Sequence, residues 1–201
     1  MTTIGKINGA SIAELAYDCG GDMCLSFFAK AYQEGWFTFP KDARVLEIGC
    51  AEADWQTPML ALKPDLDIIG IDWREAKRPG VVVRGDVMQL DEFERESFDA
   101  IVSISAIEHV GLGAYDDDPR LGSGDIVAMT NARYWLKQGG WMYLDLPFRP
   151  GKAFEVHDNF RAYNERALHE RILPGFVLKQ WARCETEHPD GPYIALLLEK
   201  Q

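Results

Sequence analysis

Short apolar runs closed by a carboxylate or a glycine recur along the middle of this chain. Val45-Leu46-Glu47-Ile48 stops at Gly49, and Ile68-Ile69-Gly70-Ile71 stops at Asp72. Val81-Val82-Val83 leads into Arg84-Gly85-Asp86, residues 98–104 form a fourth run, and 141–146 form a fifth that ends at Pro147. Runs of this length without strict alternation suit strands covered on both faces of a parallel sheet. Helical spacing appears between them. Leu25, Phe28, Ala29 and Tyr32 predict a helix from Asp22 to about Glu34, and residues 55–62 predict another, stopped by Pro64. Asp125 is placed to cap a helix through Leu136, with Lys137-Gln138-Gly139-Gly140 ending it. Nearer the start, Ser11 and Glu14 have the spacing of a capping box, and Gly20-Gly21 would break that helix. The last two runs, 176–184 and 193–199, flank Pro189, Asp190, Gly191 and Pro192, a turn composition that predicts a hairpin.

These elements predict one α/β domain: a helical cap over 1–43 and a Rossmann-like core over 44–201. The core is a seven-stranded, mostly parallel sheet with a C-terminal antiparallel hairpin and helices on both faces. The 201 residues suffice for one such core, and 47% hydrophobic content marks a globular chain. A formal net charge of −11 argues against a nucleic-acid backbone as the main partner. No run of about 18 apolar residues predicts a membrane span, and the first residues lack a signal pattern, so the expected compartment is the cytoplasm. Cys19, Cys24, Cys50 and Cys184 fit neither a zinc ribbon nor a Cys-x-x-Cys pair, and reduced thiols are expected.

The chemistry concentrates at residues 44–54. Gly49 and the small residues Cys50, Ala51 and Ala53 let a ligand approach the backbone where the chain leaves its first sheet strand. Cys50 is expected to serve there as a small residue. A dinucleotide would set its pyrophosphate on the following helix, but Glu52 and Asp54 stand there, and their carboxylates would repel phosphate. S-adenosylmethionine carries a sulfonium, an ammonium and no phosphate, so acidic neighbours suit it. Asp72 lies 23 residues beyond Gly49, near the spacing at which a carboxylate meets ribose hydroxyls. Its alternative role is a helix cap. Trp73 is placed either to stack on adenine or to pack in the core.

Val45-Leu46-Glu47-Ile48-Gly49-Cys50-Ala51 resembles the first motif of class I S-adenosylmethionine-dependent methyltransferases. Ala51 and Ala53 stand where that family has its second and third glycines. The resemblance spans roughly residues 40–200 and includes Phe98-Asp99-Ala100-Ile101 and the segment from Ser105 through Glu108-His109. It implies Glu47, Gly49 and Ala51 at the methionine end, Asp72 at ribose, Asp86 and Val87 at adenine, and Ser105 facing the cofactor. The implied activity is methyl transfer to a small-molecule acceptor, expected to be a hydroxyl of a sugar or natural product. His109 is the candidate base and His157 the second candidate, since imidazole takes a proton near neutral pH. The opposing reading makes His109 a structural residue that fixes the turn.

The Gly-rich stretch 111–124 suits a substrate lid. Its Asp116, Asp117 and Asp118 are read as a solvated turn, and no metal is expected. Arg149, Lys152, His157 and Arg161 form a locally basic stretch placed to meet an anionic group on the acceptor, or to be a surface loop. Tyr17, Asp18 and Cys19 would face the cofactor if the N-terminal segment were a lid. A monomer or homodimer is expected. Two rival readings remain: a non-catalytic protein that binds S-adenosylmethionine or S-adenosylhomocysteine, and an NAD-dependent oxidoreductase.

Overall fold

The computed structural model describes residues 6–7, 10–11, 23–51, 54–75, 81–113, 121–184 and 192–201. Its first elements are a two-residue ladder, β1 (Lys6–Ile7) against β2 (Ala10–Ser11). Ser11 is therefore in a strand and not at the cap of a helix, which corrects the expectation for that position. Glu14, Tyr17, Asp18, Cys19 and Gly20-Gly21 lie outside the described residues. Helix α1 (Met23–Gln33) matches the helical spacing of its sequence.

Five parallel strands follow: β3 (Arg44–Ile48), β4 (Asp67–Asp72), β5 (Val81–Arg84), β6 (Phe98–Ile104) and β7 (Leu136–Pro147). Helix α2 (Gln56–Leu62) links β3 to β4, and α3 (Gly124–Trp135) links β6 to β7. A small ladder, β8 (Glu155–Val156) with β9 (Arg161–Ala162), precedes α4 (Glu165–Ala167), which runs into a π-helical turn, Leu168–Ile172. β10 (Phe176–Cys184) and β11 (Tyr193–Lys200) then close the sheet as an antiparallel hairpin. The seven strands lie in the order β10-β11-β7-β6-β3-β4-β5. The chain steps outward from β3 to β5 and returns on the other side of β3. The strand order thus reverses between β3 and β6, where open α/β sheets hold their ligands.

Helices cover both faces. On one face Leu25, Phe28 and Ala29 of α1 and Met59 of α2 pack on Val45, Ile68, Val102 and Tyr143. Aromatic rings fill this layer: Phe28 lies 5.1 Å from both Trp55 and Tyr143, and Phe37 lies 4.4 Å from Trp141. Such pairs add about 0.5–1.5 kcal/mol each beyond area burial. They fix Trp55, the residue just before α2. On the other face Ala128, Met129, Ala132 and Trp135 of α3 pack on Leu46, Ile101, Met142 and Leu144.

Two departures from the sequence reading have clear causes. β7 begins at Leu136, not near Trp141, because the pairing shifts register between Phe98↔Leu136 and Ala100↔Trp141 and absorbs the two glycines. Gly139 adopts φ +72° there, and a Cβ on Gly140 would meet the Asp99 carbonyl oxygen at 2.9 Å. Asp125 sits inside α3 and does not cap it. Its fully buried carboxylate accepts from Arg171 (Nε 2.8 Å, Nη2 2.6 Å) and from the Tyr163 hydroxyl (2.8 Å). Arg161, also fully buried, lies 3.6 Å from it and donates to the carbonyls of Glu108 (3.1 Å) and Val110 (2.7 Å). This cluster ties the turn after β6 to β9 and the helical turn behind it. Burial, then the Asp125 charge, pushes the Tyr163 phenol well above its ordinary value. No helix among the described residues is long and apolar enough to cross a membrane.

Candidate functional site

The carboxyl ends of β3, β4, β5 and β6 form one edge, and Gly49 sits at its centre. Its φ of +83° is a left-handed conformation that favours glycine. A Cβ there would lie 2.2 Å from the Cβ of Ala106, just beyond β6. The glycine thus permits the close approach of two chain segments at the point where the strand order reverses. Its N–H donates to the Ile71 carbonyl at 2.9 Å, which continues the β3–β4 pairing into the turn. Cys50 is fully buried over Gly70, where a Cβ would meet its Sγ at 2.6 Å. Its side chain lies against Gly70. Ala51 follows, and its N–H donates to Asp72 Oδ2 at 2.9 Å. That bond fastens the turn after β3 to the end of β4.

Glu47 is buried and accepts a hydrogen bond from Gln56 at the start of α2. The partner its burial requires is therefore local. Glu47, Asp72 and Asp86 lie on, at the end of and just past three neighbouring strands, each two residues further along than the last: Glu47 pairs with Gly70, two residues before Asp72, and Asp72 pairs with Arg84, two residues before Asp86. Asp86 is buried, and its Oδ1 accepts from the Met88 N–H at 2.8 Å. Glu92 Oε1 accepts from the Asp86 N–H at 2.9 Å, adding a fourth carboxylate at this corner. Val87 is half-buried, and its carbonyl takes Asn131 Nδ2 at 2.9 Å. Trp73 is half-buried too, and its indole N–H has no hydrogen-bond partner among the described residues.

Asp54 caps α2, accepting from the Thr57 N–H (3.0 Å) and hydroxyl (2.7 Å). A carboxylate therefore occupies the place where a dinucleotide sets its pyrophosphate. Glu52, Ala53 and Asp116–Asp118 are outside the described residues.

A second polar group lies at the ends of β6 and β7. Ser105, at φ +46°, donates its N–H to Asp145 Oδ1 (2.9 Å) and its hydroxyl to Glu108 Oε1 (2.7 Å). The Tyr193 hydroxyl stands 3.5 Å from Ser105 Oγ. Asp145 is 1% exposed and went unrecognised in the sequence, where it lies within an apolar run with Leu146 after it. His109 Nδ1 contacts the Asn159 carbonyl, and with Nδ1–H as donor the neutral ring leaves Nε2 to accept a proton. Nε2 lies 3.8 Å from Glu108 Oε1. His157 is on a separate cluster: it stacks on Phe160 at 4.3 Å, with Nε2 3.3 Å from Glu155 Oε2. The basic stretch is mostly consumed internally. Arg161 is buried against Asp125, Arg149 pairs with Glu155, and Lys152 is exposed.

The strand order, closed by an antiparallel hairpin, decides the fold. The fold is that of class I S-adenosylmethionine-dependent methyltransferases. Comparison with solved structures agrees. The Burkholderia thailandensis 1,6-didemethyltoxoflavin-N1-methyltransferase, solved with bound 1,6-didemethyltoxoflavin and S-adenosylhomocysteine, is 16% identical with a TM-score of 0.61, over 98% of this chain and 94% of that one. The N-methyltransferase NodS from Bradyrhizobium japonicum, solved with S-adenosylhomocysteine, is 17% identical with a TM-score of 0.54, over 79% of this chain and 78% of that one. The cyclase SpnF is 15% identical with a TM-score of 0.57, over 79% of this chain and 74% of that one. This class I methyltransferase fold thus also carries a cyclase, so the reaction must be argued from the site. A family profile described as "Caenorhabditis protein of unknown function, DUF268" matches residues 80–176. No curated protein matches the sequence significantly.

Proposed function

We propose that this protein binds S-adenosylmethionine in the crevice beyond β3, β4 and β5 and transfers its methyl group to a small-molecule acceptor. The observation that carries this reading is the fastening of Ala51 N–H to Asp72 Oδ2, which brings the first turn and the second carboxylate to one edge. Glu47, Gly49, Cys50 and Ala51 would line the methionine end, with Glu47 favouring the cofactor's positive charge. Asp72 would meet the ribose, Trp73, Asp86 and Val87 the adenine, and Ser105 the side of the crevice nearest the acceptor. When bound, the cofactor supplies an electrophilic methyl on sulfur. The chain's own residues hold it, exclude water and set the line of attack.

The acceptor reading is a hydroxyl of a sugar or natural-product-like molecule. The net charge of −11 favours a small molecule over nucleic acid. His109 is the group placed to take the acceptor's proton: the Asn159 carbonyl orients its ring and leaves Nε2 as the basic nitrogen. His157 is the second choice, because Glu155 and Phe160 already engage it. The alternative is a protein that binds the cofactor without consuming it, and Ala51 and Ala53 in place of the second and third glycines of the resembling motif favour that reading.

Calorimetric titration with S-adenosylhomocysteine and with NAD tests the cofactor. Binding of the first alone supports the proposal; binding of NAD alone refutes it. Methyl-labelled S-adenosylmethionine incubated with pooled hydroxylated and aminated small molecules then separates enzyme from binding protein.

A further inference from the structure

Asp72 accepts four hydrogen bonds, and a carboxylate has about four acceptor positions. Oδ1 takes the Arg74 N–H (2.8 Å) and Nε–H (3.1 Å). Oδ2 takes the Ala51 N–H (2.9 Å) and Arg74 Nη2 (3.4 Å). No position remains for a nucleoside. Two of the donors are backbone and stay with the fold. The other two belong to one guanidinium, whose side chain is 24% exposed and can swing outward. If it does, one acceptor position opens on each oxygen. One vacancy per oxygen is the pattern that two neighbouring hydroxyls fill.

We infer that the Arg74 guanidinium is a built-in competitor for a vicinal diol on Asp72, so that it sets the affinity and the ribose selectivity of the site. The inference rests on reading this crevice as a nucleoside-cofactor site. Only a ligand with both hydroxyls replaces both bonds that the arginine gives up. A ligand lacking them gains nothing at Asp72 and leaves Arg74 in place. Partly exposed ion pairs of this kind shift such an equilibrium by a factor of about five.

The test is calorimetry with S-adenosylhomocysteine and its 2′,3′-dideoxy analogue on the wild-type protein, Arg74→Ala and Arg74→Lys. Arg74→Ala should bind S-adenosylhomocysteine roughly fivefold more tightly, and Arg74→Lys, whose ammonium cannot fork, roughly twofold. Neither should change affinity for the dideoxy analogue. In the wild-type protein, added salt should screen the pair and tighten S-adenosylhomocysteine binding, an effect absent in Arg74→Ala. This arm keeps a measurement on the unsubstituted chain should a variant fold poorly. If the wild type binds and Arg74→Ala binds equally or more weakly, the competitor role is overturned while the cofactor reading stands. If neither binds, the cofactor reading fails and the inference falls with it.

Discussion

Replacing Gly49 with alanine isolates the geometry on which the site depends. Two separate penalties apply. The first is conformational: φ +83° is left-handed, and an L side chain there costs about 1–2 kcal/mol. The second is steric: the new Cβ would lie 2.2 Å from the Cβ of Ala106. Ala106 cannot yield freely, because Ser105 before it is held at φ +46° by Asp145. Forced overpacking of this kind costs about 1–3 kcal/mol. The sum for Gly49→Ala is about 2–5 kcal/mol. Removing the opposing methyl separates the two parts. In an Ala106→Gly background, Gly49→Ala should cost only the conformational part, about 1–2 kcal/mol. Urea unfolding of the four proteins, followed by tryptophan fluorescence, closes the cycle, and the coupling energy should be about 1–3 kcal/mol. Equal costs in the two backgrounds would refute the claim that Gly49 exists to admit Ala106.

Other positions give independent checks. Asp72→Ala leaves the Ala51 N–H without its acceptor and should weaken S-adenosylhomocysteine binding by about tenfold or more in calorimetry; unchanged affinity would mean the diol is held elsewhere. Arg161→Met removes a buried guanidinium from Asp125 and the Glu108 and Val110 carbonyls, and should cost about 3–5 kcal/mol in chemical unfolding; a loss below about 1 kcal/mol would make the cluster incidental. Tyr163 is an acid whose folded value lies well above the ordinary 10.0, so its contribution is complete below pH 10 and disappears as pH climbs through the folded value. Unfolding measured from pH 9 to 11 should therefore show an alkaline loss that Tyr163→Phe reduces. His109→Ala should abolish most methyl transfer to a responsive acceptor and leave cofactor affinity intact; unaltered turnover would exclude it as the base.

The strands at 44–48, 67–72 and 81–84 were readable because each is a local apolar run with a glycine or carboxylate close after it, and 98–104 because its apolar run is long. The terminal hairpin was readable for the same reason, through its turn residues. What escaped depends on partners distant in the chain. Arg161 looked like a ligand for an anion, yet its partner is Asp125, and nothing local announces that pairing. Asp125 looked like a cap for the same lack of its arginines. Ser11 carried a capping spacing, but backbone pairing with Lys6 places it in a strand. At the site, Glu47, Asp72 and Asp86 were visible as acids at consecutive strand ends. The filling of Asp72 by Arg74 was not, because side-chain competition within two residues leaves no periodic trace. Asp145 was overlooked because it lies within its apolar run, with Leu146 after it, and does not close the run as Asp72 does.

The most direct measurement is a crystal structure of the protein with S-adenosylhomocysteine. The account predicts the homocysteine end against Gly49–Ala51, the ribose hydroxyls on Asp72 with Arg74 turned away, and the adenine beside Asp86 and Val87. A ligand seated away from the β3–β5 edge, or one whose ribose does not meet Asp72, would contradict it.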